Sequence, residues 1–214
     1  MGPTSYYLFL NHNSQPLFGL ATPQNGLEQF YNLTDALAIA SWLNVFIRQS
    51  SIVEIACLAQ SVNVISPIIT SPTSFFRQTT FYPLRLFSDF MRDGLAISTH
   101  ISNGPVFTGE TLPTWIGTVR GEPAVLDVSA VLVGKSLRVA VVNRSRDTAY
   151  DVGLRIAFES AKAMQVHEVW HEDVLARNGW GDEENVGVVS SKERWTGHHV
   201  FREHSFTLLV IELE

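Results

Sequence analysis

The sequence predicts a mostly β chain in which a short α/β portion precedes an antiparallel β-sandwich. Three observations carry this expectation. A stretch of helical period is followed at once by an apolar run without alternation, the pattern of one half of a βαβ unit. From Ala96 onward the periodicity changes to that of strands. Five or more short strands then recur between Gly, Pro, Asn and Asp turn signals, as in a sandwich.

Residues 1–27 contain three prolines and three glycines and no Asp, Glu, Lys or Arg. They are expected to be weakly ordered, with at most a short strand at 6–10. Asn32 then offers a helix N-cap, and Asp35 stands three residues on, close to a capping box and favourable at the positive end of the helix dipole. Leu33, Ala36, Leu37, Ala40, Leu43 and Ile47 recur at helical spacing, with Thr34, Ser41, Asn44 and Arg48 mostly opposite, so a helix is expected over 32–48. Ile39, Trp42, Val45 and Phe46 widen its apolar side beyond a surface stripe and call for neighbours on several sides.

Ile52, Val53, Ile55, Ala56, Cys57, Leu58 and Ala59 form the unalternating run. It predicts a strand over 52–60 covered on both faces, with Cys57 as an inert core residue. Gln60 then stands at the strand's C-terminal end, which is the active-site end in a (β/α)-barrel. It is a candidate substrate contact, and equally a Gln that satisfies a neighbouring backbone group. Pro67, Pro72 and a Thr/Ser cluster mark a loop over 61–78. Thr79 or Thr80 caps a helix over 80–93, with Pro83 in its first turn, Leu84, Phe87, Phe90 and Met91 inward, and Gly94 as its stop.

A short strand is expected at 95–100 and a long loop over 101–123. Strands at 126–133 and 136–143 are joined through a Gly134-Lys135 hairpin signal. In the second, Leu137, Val139 and Val141 face one way and Arg138, Ala140 and Val142 the other. Val152, Leu154 and Ile156 alternate. Residues 159–177 have helical propensity, but VHEVWH alternates and its surroundings are β, so a strand is expected at 164–171. Turns and short strands fill 178–200, with Asn178, Gly179, Gly181 and Asp182 as turn formers. A last strand carries Phe206, Leu208, Val210 and Leu213.

Composition narrows the function. A net charge of −6 and the lack of a basic run argue against nucleic acid. No apolar run reaches membrane-spanning length. One cysteine, Cys57, allows no internal disulfide. The apolar 6–10 segment has no basic residue before it and makes a poor signal peptide, which leaves the compartment open. The 214 residues cannot hold a complete (β/α)-barrel, which takes about 250, together with a sandwich.

Several constellations could carry chemistry. His167, Glu168 and His171 fit the H-E-x-x-H pattern of zinc peptidases, which needs both histidines on one helix face. In a strand they lie about 13 Å apart at about 3.3 Å per residue, beyond one metal ion. His198, His199 and His204 match no known ligand spacing, so neither metal nor cofactor is expected. Glu172-Asp173 and Asp182-Glu183-Glu184 are carboxylate pairs, but a retaining glycosidase needs two carboxyl groups about 5 Å apart across a sugar, and adjacent loop residues do not hold that geometry. Trp115, Trp170, Trp180 and Trp195 could stack on sugars or simply pack. Asn32 and Asn143 begin glycosylation sequons.

The segments YNLTDALAIASWLNVFIR, IACLAQSVNVISPI and FRQTTFYPLRLFS resemble the last part of the catalytic barrel of glycoside hydrolase family 51, the α-L-arabinofuranosidases. VLVGKSLRVAVVNRS, VHEVWHEDVLARNGWGDEENV and HSFTLLVIEL are similar to that family's terminal β-sandwich. The likeness runs from about residue 28 to 214. It implies a barrel remnant over 28–95, made of the last βα elements of a (β/α)8 barrel, and a jelly-roll-like sandwich over 96–214. The family's enzymes are retaining glycosidases that release terminal arabinofuranosyl units from arabinan or arabinoxylan. The Gln of the LAQxVN motif contacts the sugar in the −1 subsite, and Gln60 holds that position.

The family's two catalytic carboxylates lie on earlier barrel strands, the nucleophile in a Glu-Trp-Asn segment ahead of the YNL helix. No such segment is present here, and Glu28 is the first acid. The chain alone is therefore expected to be inactive. Its expected partner, for the intact family enzyme, is an arabinofuranosyl-containing polysaccharide or oligosaccharide. An uncovered strand 52–60 and helix 32–48 would also favour self-association or a homo-oligomer. The alternatives are a non-catalytic β-sandwich binding module and a zinc hydrolase built on His167, Glu168 and His171.

Overall fold

Asn32 opens the first helix as its side chain predicts. In the computed structural model, which describes residues 29–58, 60–107, 123–156 and 161–214, Asn32 Oδ1 accepts from Asp35 N–H, and Asp35 Oδ2 accepts from Asn32 N–H at 2.9 Å. This reciprocal pair closes a capping box at the start of α1 (Leu33–Arg48). Two further first-turn donors are met from far along the chain: Leu33 N–H donates to Ala176 O at 2.9 Å and Thr34 N–H to Val174 O at 3.2 Å.

After α1 come β1 (Ile68–Thr70) and β2 (Phe75–Arg77), a small antiparallel hairpin, and then α2 (Phe81–Phe90). The remaining strands are β3 (Leu95–Ile97), β4 (Leu126–Val133), β5 (Ser136–Asn143), β6 (Tyr150–Gly153), β7 (Ala161–Val169), β8 (Val188–Arg194), β9 (His198–Phe201) and β10 (Ser205–Leu213). Six of them form one antiparallel sheet in the order β3-β4-β5-β10-β7-β8, and β6 pairs with β9 in a second, two-stranded sheet. The β4–β5 hairpin turns at Gly134, where φ is +57°. A side chain there would meet the steric penalty of the left-handed region.

Each face of the large sheet has its own core. Val131, Ala140, Val142, Val169, Phe206, Leu208 and Val210 pack with Leu33, Ala36, Leu37 and Ala40 of α1 and Leu86 and Phe87 of α2. Ala130, Val139, Val141, Met164, Val166, Leu209 and Ile211 pack on the opposite side with Phe201, Val152, Leu154, Ile156 and Trp195. The large sheet is thus covered by helices on one face and by the β6–β9 layer on the other. The facing assignment of β5 follows the alternation read from the sequence. β10, central and apolar on both faces, buries every residue from Ser205 to Ile211. Each large apolar side chain so buried contributes about 1.5–3 kcal/mol.

Several expectations are corrected. No strand forms over 52–60: residues 53–58 and Gln60 lie in irregular, mostly exposed chain, with Ile52 60 %, Ile55 64 % and Leu58 38 % exposed. Cys57 is exposed rather than a core residue. A buried parallel strand needs a hydrogen-bonded neighbour, and among the described residues none pairs with this segment. Helix α1, by contrast, is covered, because α2 and β4 pack against it. Asn44 points inward, not outward: it donates to Asp127 O and Oδ2 and accepts from Ser129 Oγ at 2.6 Å. Arg48 adds an ion pair to Asp127 at 2.8 Å and a bond to Val128 O, fixing the end of α1 on β4.

Helix α2 ends at Phe90, short of residue 93. Thr80 makes no capping bond, and Thr79 Oγ1 instead donates to Asn32 O. The left-handed residue after α2 is Asp93, at φ +58°. Gly94 serves by close approach, since a Cβ there would lie 2.9 Å from Val131 Cβ. Arg138 Nη1 donates to Phe90 O at 2.6 Å and ties the end of α2 to β5.

Candidate functional site

Gln60 sits at the far end of an irregular arm whose roots are held by hydrogen bonds. At the near root Ile52 and Val53 N–H donate to Gln49 O at 2.9 Å, closing the C-terminus of α1. At the far root Asn63, in the left-handed region at φ +67°, accepts from Thr70 N–H at 2.8 Å and donates through its own N–H to Ile68 O at 2.8 Å. Behind it the buried Gln78 amide accepts from Tyr31 N–H and donates to Gln29 O and to Ser66 O. The supports around Gln60 are therefore fixed, while Gln60 itself is exposed.

The H-E-x-x-H residues lie on and after β7, in strand rather than helix. His167 stacks on Phe90 at 4.4 Å and meets Ser190 Oγ at 2.8 Å. Glu168 points to the other face, 3.7 Å from Arg202 Nε. His171 Nδ1 accepts from Asp173 N–H at 3.0 Å. Burial pushes the His167 imidazole below its ordinary pKa and the Glu168 carboxyl above it, Arg202 opposing the second shift. The three side chains turn toward different partners, and among the described residues no group of three His, Cys, Asp or Glu could hold a metal ion.

The other histidines are dispersed as well. His198 lies 3.4 Å from Asp151, and His199 lies 3.8 Å from Glu193, its imidazole lowered by burial. The buried His204 places Nδ1 2.7 Å from Arg146 O and Nε2 2.9 Å from His171 O, bracing two loops. Asp173 Oδ1 caps Leu175 N–H, and Glu183 Oε1 accepts from Gly181 N–H. Both carboxylates serve turns. Neither sequon presents a free side chain: Asn32 is spent on the helix cap, and Asn143 is fully buried with its amide donating to Thr148, Phe201 and Arg202 carbonyls. Trp115 lies outside the described residues.

Sequence reasoning missed the buried amides that knit the molecule together: Asn44, Gln78, Asn143 and Asn178, each under 2 % exposed. Asn178, read only as a turn former, donates to Arg77 O and Val186 O and accepts from Val186 N–H at 2.7 Å. A local pattern could find its turn but not its distant partners.

Comparison with known proteins agrees with this architecture. The family model of the α-L-arabinofuranosidase C-terminal domain matches residues 10–205, which corrects the expectation that the likeness starts near residue 28 and that residues 1–27 lie outside it. A probable α-L-arabinofuranosidase C of Aspergillus clavatus is 46 % identical over 191 residues, covering 88 % of this chain and 36 % of that protein. An exo-α-(1→6)-L-arabinofuranosidase of Bifidobacterium longum is 32 % identical over 168 residues, 75 % of this chain and 30 % of that protein. The crystal structure of an α-L-arabinofuranosidase from Thermotoga maritima in an arabinose complex superposes with a TM-score of 0.77 at 25 % identity, covering 87 % of this chain and 40 % of that one. The chain spans little more than a third of the length of its Aspergillus relative. It belongs to the α-L-arabinofuranosidase C-terminal domain family and corresponds to the C-terminal portion of a family 51 α-L-arabinofuranosidase.

Proposed function

We infer that this chain supplies the sandwich and the last barrel elements of an α-L-arabinofuranosidase, and that it does not cleave a glycosidic bond by itself. The observation that supports this reading is the contrast between the two ends of α1. Its inner side is a finished core, whereas the segment after it, from Ile52 to Leu58, is an apolar run with nothing paired to it among the described residues. Such a run becomes a covered strand only beside other strands. In that setting Gln60, at the run's end, would reach the mouth of a barrel and hydrogen-bond an arabinofuranosyl unit. The two carboxyl groups of a retaining glycosidase would come from chain ahead of α1. The substrate of the assembled enzyme is then an arabinofuranosyl-containing polysaccharide or oligosaccharide, in keeping with the names of the relatives.

Incubation of the purified chain with an aryl α-L-arabinofuranoside tests this. No release of the aryl alcohol above the buffer rate is expected. Turnover that disappears on substituting a residue within the chain would overturn the reading.

A further inference from the structure

We propose that Trp180 is a stacking platform for a pentose-based oligosaccharide. The structure sorts the tryptophans. Trp170 is occupied, stacked on His204 at 6.2 Å with the Arg202 guanidinium 4.6 Å from its ring centre. Trp195 packs into the second core. Trp42 leans on Phe46 along the apolar outer side of α1. Trp180, 49 % exposed, and Trp42, 40 % exposed, are both open, but Trp180 stands on a turn rather than on a helix face.

That turn is built rigidly. Beneath it Asn178 is 1 % exposed and bonded to Arg77, Tyr82 and Val186. Gly179 and Asp182 exchange both of their backbone hydrogen bonds at 3.1 Å. Gly181 takes φ +85°, open to glycine and strained for other residues. The buried Phe76 meets the indole in a T-shaped contact at 4.8 Å and 85°, which fixes the ring plane from behind. An exposed aromatic ring held this firmly loses little entropy on binding.

The surroundings choose the ligand. Glu183, three residues after Trp180 on the same turn, accepts hydrogen bonds from Gly181 N–H and from its own N–H, which lower its carboxyl pKa. Asp182, Glu184 and Asn185 are exposed on the same turn. A phosphate or nucleic acid would be repelled. A protein partner needs about 800 Å² per side, whereas one indole offers at most about 150–250 Å². That area suits one or two sugar rings, whose apolar C–H face lies on the indole while hydroxyls donate to the fixed carboxylate. The choice of pentose rests on the family reading above.

The test follows the tryptophan indole N–H signals of the whole 214-residue chain by NMR while adding arabino-oligosaccharide and, separately, xylo-oligosaccharide. The expected result is a saturable displacement of the Trp180 indole signal with the other indoles unmoved. W180A weakens binding about tenfold or more, and W180F retains most of it. No displacement with either sugar, or undiminished binding by a folded W180A variant, would overturn the proposal. Binding of the xylo-oligosaccharide alone would uphold the platform and count against the arabinofuranosyl reading instead.

Discussion

Asn178, in the segment between β7 and β8, ties that segment to the end of β2 at Arg77 and to its own later residue Val186, all through one buried amide. Replacing it with alanine strands Val186 N–H and two carbonyls away from water. The expected cost is about 3 kcal/mol, summed over bonds worth about 1 kcal/mol each plus the desolvation of what is left behind. Urea unfolding of N178A against the exposed control N185A measures it, the control staying within about 0.5 kcal/mol of wild type. A second residue-scale expectation concerns pH. Burial lowers the pKa of His167 in the folded state, so the unfolded chain binds the proton more readily. Stability then rises with pH and is lost as pH falls below the ordinary histidine value of about 6.5. His167→Phe keeps the stacking on Phe90 and should flatten that loss between about pH 7 and 5. An unchanged slope in the variant would assign the loss to other groups. None of these partnerships was legible in the sequence, because each joins residues brought together only by the finished fold.

At the scale of elements, local signals did carry. The Asn32–Asp35 capping box and the apolar spacing of α1 appear in the structure as read. The hairpin from Leu126 to Asn143 keeps the bounds that alternation and Gly134 gave it. Asn32→Ala should lower stability by about 1 kcal/mol through loss of the cap, and circular dichroism in urea checks it. The contrast between two largely apolar stretches explains what was misread. Residues 205–213 become β10, paired with β5 and β7. Residues 52–58 and Gln60 form no strand, since a sequence shows which faces need covering but not whether neighbours exist. Ile55→Glu on this exposed arm should leave the unfolding midpoint unchanged and reduce self-association, as read by light scattering. A lowered midpoint would mean that Ile55 is packed. Asn44 was misplaced for a simpler reason: seven residues after Leu37, it returns to nearly the same helix side.

For the molecule as a whole, the large sheet, with α1 and α2 as part of its core, carries an exposed arm over 53–58 with no strand partner among the described residues. The predicted division near residue 95 is crossed by that core, which draws on α1, α2 and the large sheet together. The change from helical to strand periodicity near residue 95 did not reveal that the two helices share a core with the large sheet. Gln60 stands exposed at the end of the arm. Amide hydrogen exchange on the isolated chain tests this most directly. The account predicts protection of α1 close to that of β5 and β10, with residues 53–58 exchanging at nearly the rate of unstructured peptide. Slow exchange across 53–58, or an α1 that exchanges as fast as the arm, would contradict it.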